Sequence, residues 1–196
     1  LTKRPVTVER TTRETQISLK LDLSTPEEIE LEIGPPFFKH LLHALCYHGS
    51  FSLAVTGKGD LEVDPHHLVE DTGLVLGEAL KKTVDTYGAV ERYGYSVVPM
   101  DDALSEVAID VCGRPYLAFA ADFPQPYIAG FDCALIREFF AALAGRASIN
   151  LHTSCRYGQN SHHMAESLFK AAGRAIIQAY TPVAEQDRVR STKGTL

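Results

Sequence analysis

Two short stretches of this chain carry the same set of metal-ligating side chains: Pro65-His66-His67-Leu68-Val69-Glu70 and Asn160-Ser161-His162-His163-Met164-Ala165-Glu166. Imidazole nitrogens and carboxylate oxygens are ligands for divalent transition ions. Each stretch opens an apolar run with helical spacing. His66 and Glu70, or His67 and Glu70, then share a helix face, as do His162, His163 and Glu166. Adjacent histidines nevertheless point about 100° apart around a helix of about 3.6 residues per turn. One motif is thus poorly built to wrap a single ion and well built to feed two.

A single copy would carry little weight, because short motifs match by chance. The second copy changes that. Aligning His66 with His162 also pairs Glu70 with Glu166, Gly77 with Gly173 and Ala79 with Ala175. Agreement that runs past the ligands into the helices behind them reads as an internal duplication.

The elements that must position these residues follow from the patterning. Residues 6–23 and 28–33 alternate apolar and polar, which predicts two strands joined around Ser24-Thr25-Pro26. Pro35-Pro36 opens a helix to about His48, with Phe37, Leu41, Leu42 and Leu45 as its apolar stripe. A strand over 51–55, a turn at Gly57-Lys58-Gly59-Asp60 and a long helix over 66–87 complete the first unit. After Gly88 the order recurs: strands over 105–111 and 116–121, a helix over 131–143, a strand over 148–155 and a helix over 161–180. The expected fold is α/β (α+β), two half-domains of strand-strand-helix-strand-helix at 1–90 and 91–182, with helices packed on one face of each sheet. Residues 183–196 form a polar tail with no core-forming pattern, expected to close over substrate.

The chain has 196 residues, 45% of them hydrophobic and 22% charged, which suits a globular protein with a sizeable core. A net charge of −6 argues against a nucleic-acid binder, which needs a basic surplus. Cys46, Cys112, Cys133 and Cys155 are dispersed, with no Cys-x-x-Cys pair, and read as free thiols of a cytoplasmic protein. No apolar run approaches the roughly 20 residues of a membrane helix, so no membrane partner is expected.

Six ligands leave two ions short of a full shell. His152, in the strand before the second motif, and His40, in the first helix, bring the set to eight. That gives each ion four protein ligands and leaves open positions, as a catalytic metal requires. His43 and His48 share the helix of His40 but read as surface histidines.

With these residues in view, the chain resembles the imidazoleglycerol-phosphate dehydratases. The likeness runs in order from Arg10-Thr11-Thr12-Arg13-Glu14-Thr15 through His40-Leu41-Leu42, Gly59-Asp60-Leu61 and His66-His67-x-x-Glu70-Asp71. It continues through Arg92-Tyr93-Gly94, Pro99-Met100-Asp101, Gly113-Arg114-Pro115, Leu151-His152 and Asn160-x-His162-His163-x-x-Glu166, and ends at Phe169-Lys170-Ala171 and Ser191-Thr192-Lys193-Gly194. Lys39, Cys112 and Asp102 depart from the family pattern, which usually has an acid, a serine and a glutamate there. An acid beside His40 would orient that ligand, so Lys39 changes how His40 is held.

The resemblance implies a duplicated fold, two manganese ions (Mn2+) per site, and a homo-oligomeric 24-subunit shell built from trimers, with ligands crossing subunit boundaries. It also implies a reaction of histidine biosynthesis, the dehydration of imidazole glycerol phosphate to imidazole acetol phosphate. No carbonyl acidifies the proton that must be lost; two cations flanking the substrate imidazole would favour its deprotonated form, which can expel the neighbouring hydroxyl. Glu14 and Lys170 are the candidates for proton transfer and substrate contact. Arg92, Arg114, Ser191, Thr192 and Lys193 match positions that grip the phosphate. Two other readings compete on the ligands alone: a dinuclear metallohydrolase, and a shell protein whose ions only staple subunits together.

Overall fold

The structure, a computed structural model, describes residues 5–26 and 28–183. The first half runs β1 (Val6–Thr11), β2 (Thr15–Asp22), β3 (Ile29–Glu32), α1 (Pro36–Gly49), β4 (Ser52–Gly59) and α2 (His66–Tyr87). The second runs β5 (Tyr93–Met100), β6 (Ala103–Asp110), β7 (Tyr116–Ala120), a small hairpin of β8 (Tyr127–Ile128) and β9 (Phe131–Asp132), α3 (Ala134–Ala147), β10 (Asn150–Tyr157) and α4 (Ser161–Ala179). The mixed α/β class agrees with the expectation. Apart from the small β8–β9 hairpin, each half has one strand more before its first long helix than the alternation predicts.

Both additional strands have a physical explanation. Residues 6–23 break into a hairpin at Arg13-Glu14 because the Thr12 hydroxyl accepts from the backbone N–H of Glu14 (3.1 Å) and Thr15 (2.9 Å), a local bond that ends the strand without interrupting the alternation. β5 contains Gly94, Ser96 and Pro99, which blur its pattern, and Pro99 is tolerated because β5 is an edge strand. Gly57 and Gly59 lie inside β4 and not in a turn. A Cβ on Gly57 would come within 2.8 Å of the Ile33 side chain, and one on Gly59 within 3.0 Å of the Leu68 Cβ, so these glycines make room for packing.

The sheets are ordered β1-β2-β4-β3 and β5-β6-β10-β7, antiparallel except for the last pair of each. Their registers coincide: Val6, Leu21 and Leu53 lie side by side across the first, as Gly94, Ile109 and Leu151 do across the second. The hairpin tips Arg13-Glu14 and Asp101-Asp102 therefore correspond, and past the bulge in β10 Gly59 corresponds to Gly158 and Asp60 to Gln159. One face of each sheet is buried, with Ile17, Leu19 and Leu21 turned inward from β2. The helices cover these inner faces and pair across the halves, α1 with α4 and α2 with α3.

Glycine sets how closely the helices approach. A Cβ on Gly173 would collide with the Leu45 carbonyl oxygen of α1, and one on Gly77 would meet the Leu143 carbonyl oxygen of α3 at 2.6 Å. α1 and α3 end alike, on Ser50 and Ser148 in the left-handed region (φ 54° and 56°). Phe38 of α1, Phe139 of α3 and Phe169 of α4 form a buried ring cluster, with centroids 5.5 and 5.3 Å apart, that joins three helices from both halves. No described helix is long and apolar enough to cross a membrane.

Candidate metal centre

α4 begins on Asn160, whose side chain accepts from the His162 backbone N–H at 2.9 Å. Just before it, Asp102 accepts from the N–H groups of Gln159 (2.5 Å) and Asn160 (3.0 Å), so the β5–β6 turn anchors the helix start. Gln125, from the loop before β8, braces the same turn by bonding Ser161 in both directions.

From that start, His162 and Glu166 point at α1, where His40 meets them. Glu166 Oε2 lies 2.9 Å from His40 Nε2 and 3.1 Å from His162 Nε2, and its Oε1 accepts from Lys170 Nζ at 2.8 Å. The donor atoms of His40, His162 and Glu166 all lie within 4.8 Å of one another, the one such group of three among the described residues. Phe37 walls the group, its ring 5.0 Å from that of His162 and 6.0 Å from that of His40. Burial raises the Glu166 pKa, but hydrogen bonds from Lys170 and His40 outweigh it and pull the carboxyl down to about 2. The cluster therefore presents two imidazole nitrogens and a fixed anion, a donor set that fits a divalent ion.

The second histidine of each motif is held differently. His163 turns its Nδ1 to Asp102 (2.6 Å) and His67 turns its Nδ1 to Asp60 (3.0 Å). Hydrogen bonds from His163 and the two backbone N–H groups hold the Asp102 carboxyl well below the usual carboxylate range. The hydrogen bond to Asp60 raises the His67 pKa. Pinning Nδ1 leaves Nε2 as the ligand atom of each ring, and in His163 that nitrogen lies 3.5 Å from Asp101 Oδ2. Glu14 Oε2 stands 3.9 Å from His67 Nδ1.

The remaining predicted site residues are scattered. His66 starts α2, its backbone N–H bonded to Asp64 (2.7 Å), with Glu70 one turn on and half-buried. His152 is exposed on the outer face of β10, against the Tyr116 ring (5.9 Å) and apart from the His40 cluster. Arg92 is taken up by Asp110 (Nε 2.6 Å, Nη2 3.1 Å), and Arg114 Nη1 reaches the Cys112 carbonyl at 3.5 Å. His43 stacks on Tyr47. Ser191, Thr192 and Lys193 lie outside the described residues.

Three residues escape a reading based on ligand type and spacing. Asp60 and Asp102 orient imidazoles, and only the preceding turns hint at them. The third is Glu138. Because Leu45 faces Gly173 as Leu143 faces Gly77, Glu138 of α3 occupies the helix position that corresponds to His40 of α1. Its Oε1 accepts from Arg137 at 3.0 Å. No histidine marks the position, so only the helix pairing reveals it.

Comparison with known proteins agrees with this geometry. A model of the family described as imidazoleglycerol-phosphate dehydratase matches residues 33–176. Proteins of that name from Limosilactobacillus fermentum and Streptococcus mutans are 46% and 47% identical over 193 residues, covering 98% of this chain and 100% of each relative. The crystal structure of the dehydratase from Staphylococcus aureus superposes with a TM-score of 0.83 at 32% identity, over 92% of this chain and 100% of that one. The structure from Pyrococcus furiosus, in complex with (S)-C348, gives 0.85 at 33%, over 96% of this chain and 100% of that one. With matches spanning nearly its whole length, the chain belongs to the imidazoleglycerol-phosphate dehydratase family.

Proposed function

We propose that this chain is a lyase of histidine biosynthesis that removes water from imidazoleglycerol phosphate to give imidazole acetol phosphate. The observation that carries this reading is the His40–His162–Glu166 cluster, in a chain that belongs to this family. The same cluster would hold one divalent ion, which we take to be Mn2+. Glu138, His66 and Glu70 are the corresponding donors for a second. His67 and His163, with Nδ1 held by Asp60 and Asp102, would then offer Nε2 to ions whose other ligands come from neighbouring copies in a homo-oligomer of trimers. Halves 1–90 and 91–182 are read as two copies of one ancestral unit. Bound cations supply Lewis acidity that stabilises the anionic form of the substrate ring.

The chain's own residues do the rest. Glu14, its side chain 55% exposed beside His67, accepts the proton from the carbon that becomes the ketone carbon. The hydroxyl on the ring-bearing carbon leaves with that proton as water, which returns Glu14 to its carboxylate, and the enol that remains ketonises. Lys170 fixes Glu166 through their 2.8 Å ion pair, and Phe37 keeps water from that side of the cluster. Arg114 is the better placed of the two described arginines for the phosphate, since Arg92 is already bound by Asp110 on two nitrogens.

Incubating manganese-loaded protein with imidazoleglycerol phosphate should yield the phosphorylated ketone, measurable by its enol absorbance in alkali. Release of inorganic phosphate without ketone would overturn the reading in favour of a hydrolase.

A further inference from the structure

The two second histidines are held by carboxylates that come from unrelated places. Asp102 sits at the β5–β6 tip, whose counterpart in the first half is Glu14 at the β1–β2 tip. If the halves worked alike, Glu14 would hold His67. It stands off instead, 3.9 Å from Nδ1, while Asp60 takes that nitrogen at 3.0 Å. Asp60 and Glu14 are neighbours, the Asp60 N–H donating to the Glu14 carbonyl oxygen at 3.1 Å. In the second half the counterpart of Asp60 is Gln159, an amide whose backbone N–H donates to Asp102 Oδ2 and which brings no carboxylate to the ring.

We infer that Asp60 is a positioning residue whose hold on His67 releases Glu14 from the orienting task that its counterpart Asp102 performs. In the second half Asp102 has both oxygens taken, one by the His163 Nδ1 and the other by the Gln159 and Asn160 N–H groups, while its neighbour Asp101 stands 3.5 Å from His163 Nε2. In the first half the orienting task has moved to a second acid, and Glu14 is left exposed beside the ring with its oxygens free for a substrate proton. This rests on the proposed roles of His67 as a ligand and Glu14 as the proton acceptor. It adds the reason that Glu14 can act as a base where its counterpart Asp102 cannot.

The test is calorimetric titration of Mn2+ near neutral pH into the parent, Glu14→Gln, Asp60→Ala and the double variant, with kcat and KM measured alongside. Glu14→Gln should bind the metal within about twofold of the parent and lose turnover, since Asp60 still orients His67. Asp60→Ala should weaken metal binding only about threefold, because Glu14 swings onto Nδ1, and kcat should fall while KM holds. The double variant, with no carboxylate left for the ring, should lose about 10–100-fold in affinity, the usual cost of losing such a partner. Asp102→Ala should lose as much alone, because no second carboxylate reaches the His163 Nδ1 among the described residues. Asp60→Asn, which keeps a carbonyl oxygen for the ring N–H, should restore both affinity and kcat. A tenfold loss of affinity in Glu14→Gln, or a double variant that binds no more weakly than Asp60→Ala, would overturn the inference while leaving the metal reading intact. A parent that takes up no manganese would overturn both.

Discussion

The starts of α2 and α4 carry the same two histidines and glutamate at the same spacing, yet the structure closes only one of the two sets. At α4, Glu166 accepts from His40, His162 and Lys170 together. At α2, the counterpart of Lys170 is Leu74 and that of His40 is Glu138, an acid that cannot donate to Glu70 while ionised. Identical motifs are therefore finished by unlike neighbours. The half-site with an internal cation and a hydrogen-bonded histidine is assembled without metal, whereas the half-site at α2 gives Glu70 no such cation one turn on.

The largest effect should come from the closed side. Glu166→Ala strands Lys170, whose side chain is only 17% exposed, without its anion, and unpairing a buried charge costs about 3–5 kcal/mol. Thermal melts of the metal-free protein should show this loss, and Glu70→Ala should show much less; equal shifts would break the comparison. Gly173→Ala comes next. It drives a methyl group into the Leu45 carbonyl oxygen and should cost about 3 kcal/mol, against about 1–2 kcal/mol for Gly77→Ala, where the clash is milder. Denaturant midpoints of the two variants would test the order.

Acid should expose the same asymmetry. The Lys170 and His40 contacts hold the Glu166 carboxyl at about 2, against an ordinary glutamate value of 4.5. Its contribution to stability is therefore fully present above pH 4.5 and is lost as pH falls through about 2. Stability of the metal-free protein measured across that window should fall, and Lys170→Met should flatten the fall. Acidification of the metal-loaded enzyme should lower turnover at higher pH, as free histidines titrate near 6.5 and release metal. The smallest effect belongs to Leu74→Lys, which gives Glu70 the i,i+4 cation that Glu166 already has. It should change stability by only about 0.2–0.5 kcal/mol, while an NMR titration shows the Glu70 carboxyl shifting downward.

Much of this was legible in the chain. The bounds of α2 follow from its apolar stripe, and the paired motifs point to the cluster that contains His162 and Glu166. His40 can be found by residue type alone. What escapes depends on contacts between distant segments. Glu138 matters only because α3 packs on α2 in the register of α1 on α4. His152 reads as a ligand by type and by its place just before the second motif; the two-residue alternation of β10 turns it to the outer face, where within one chain it does not join the His40 cluster. The break at Arg13-Glu14 is hidden because a single threonine hydroxyl, and not a glycine or proline, makes the turn.

The crosswise pairing of α1 with α4 and α2 with α3 has one more consequence. Neither half owns the surface that covers its own helices, so a chain cut near Gly88 would give two fragments that stay soluble and folded only when mixed. A primordial peptide of that length would have met the same need by dimerising with its twin, and the covalent join between the halves would then have freed each former twin to specialise.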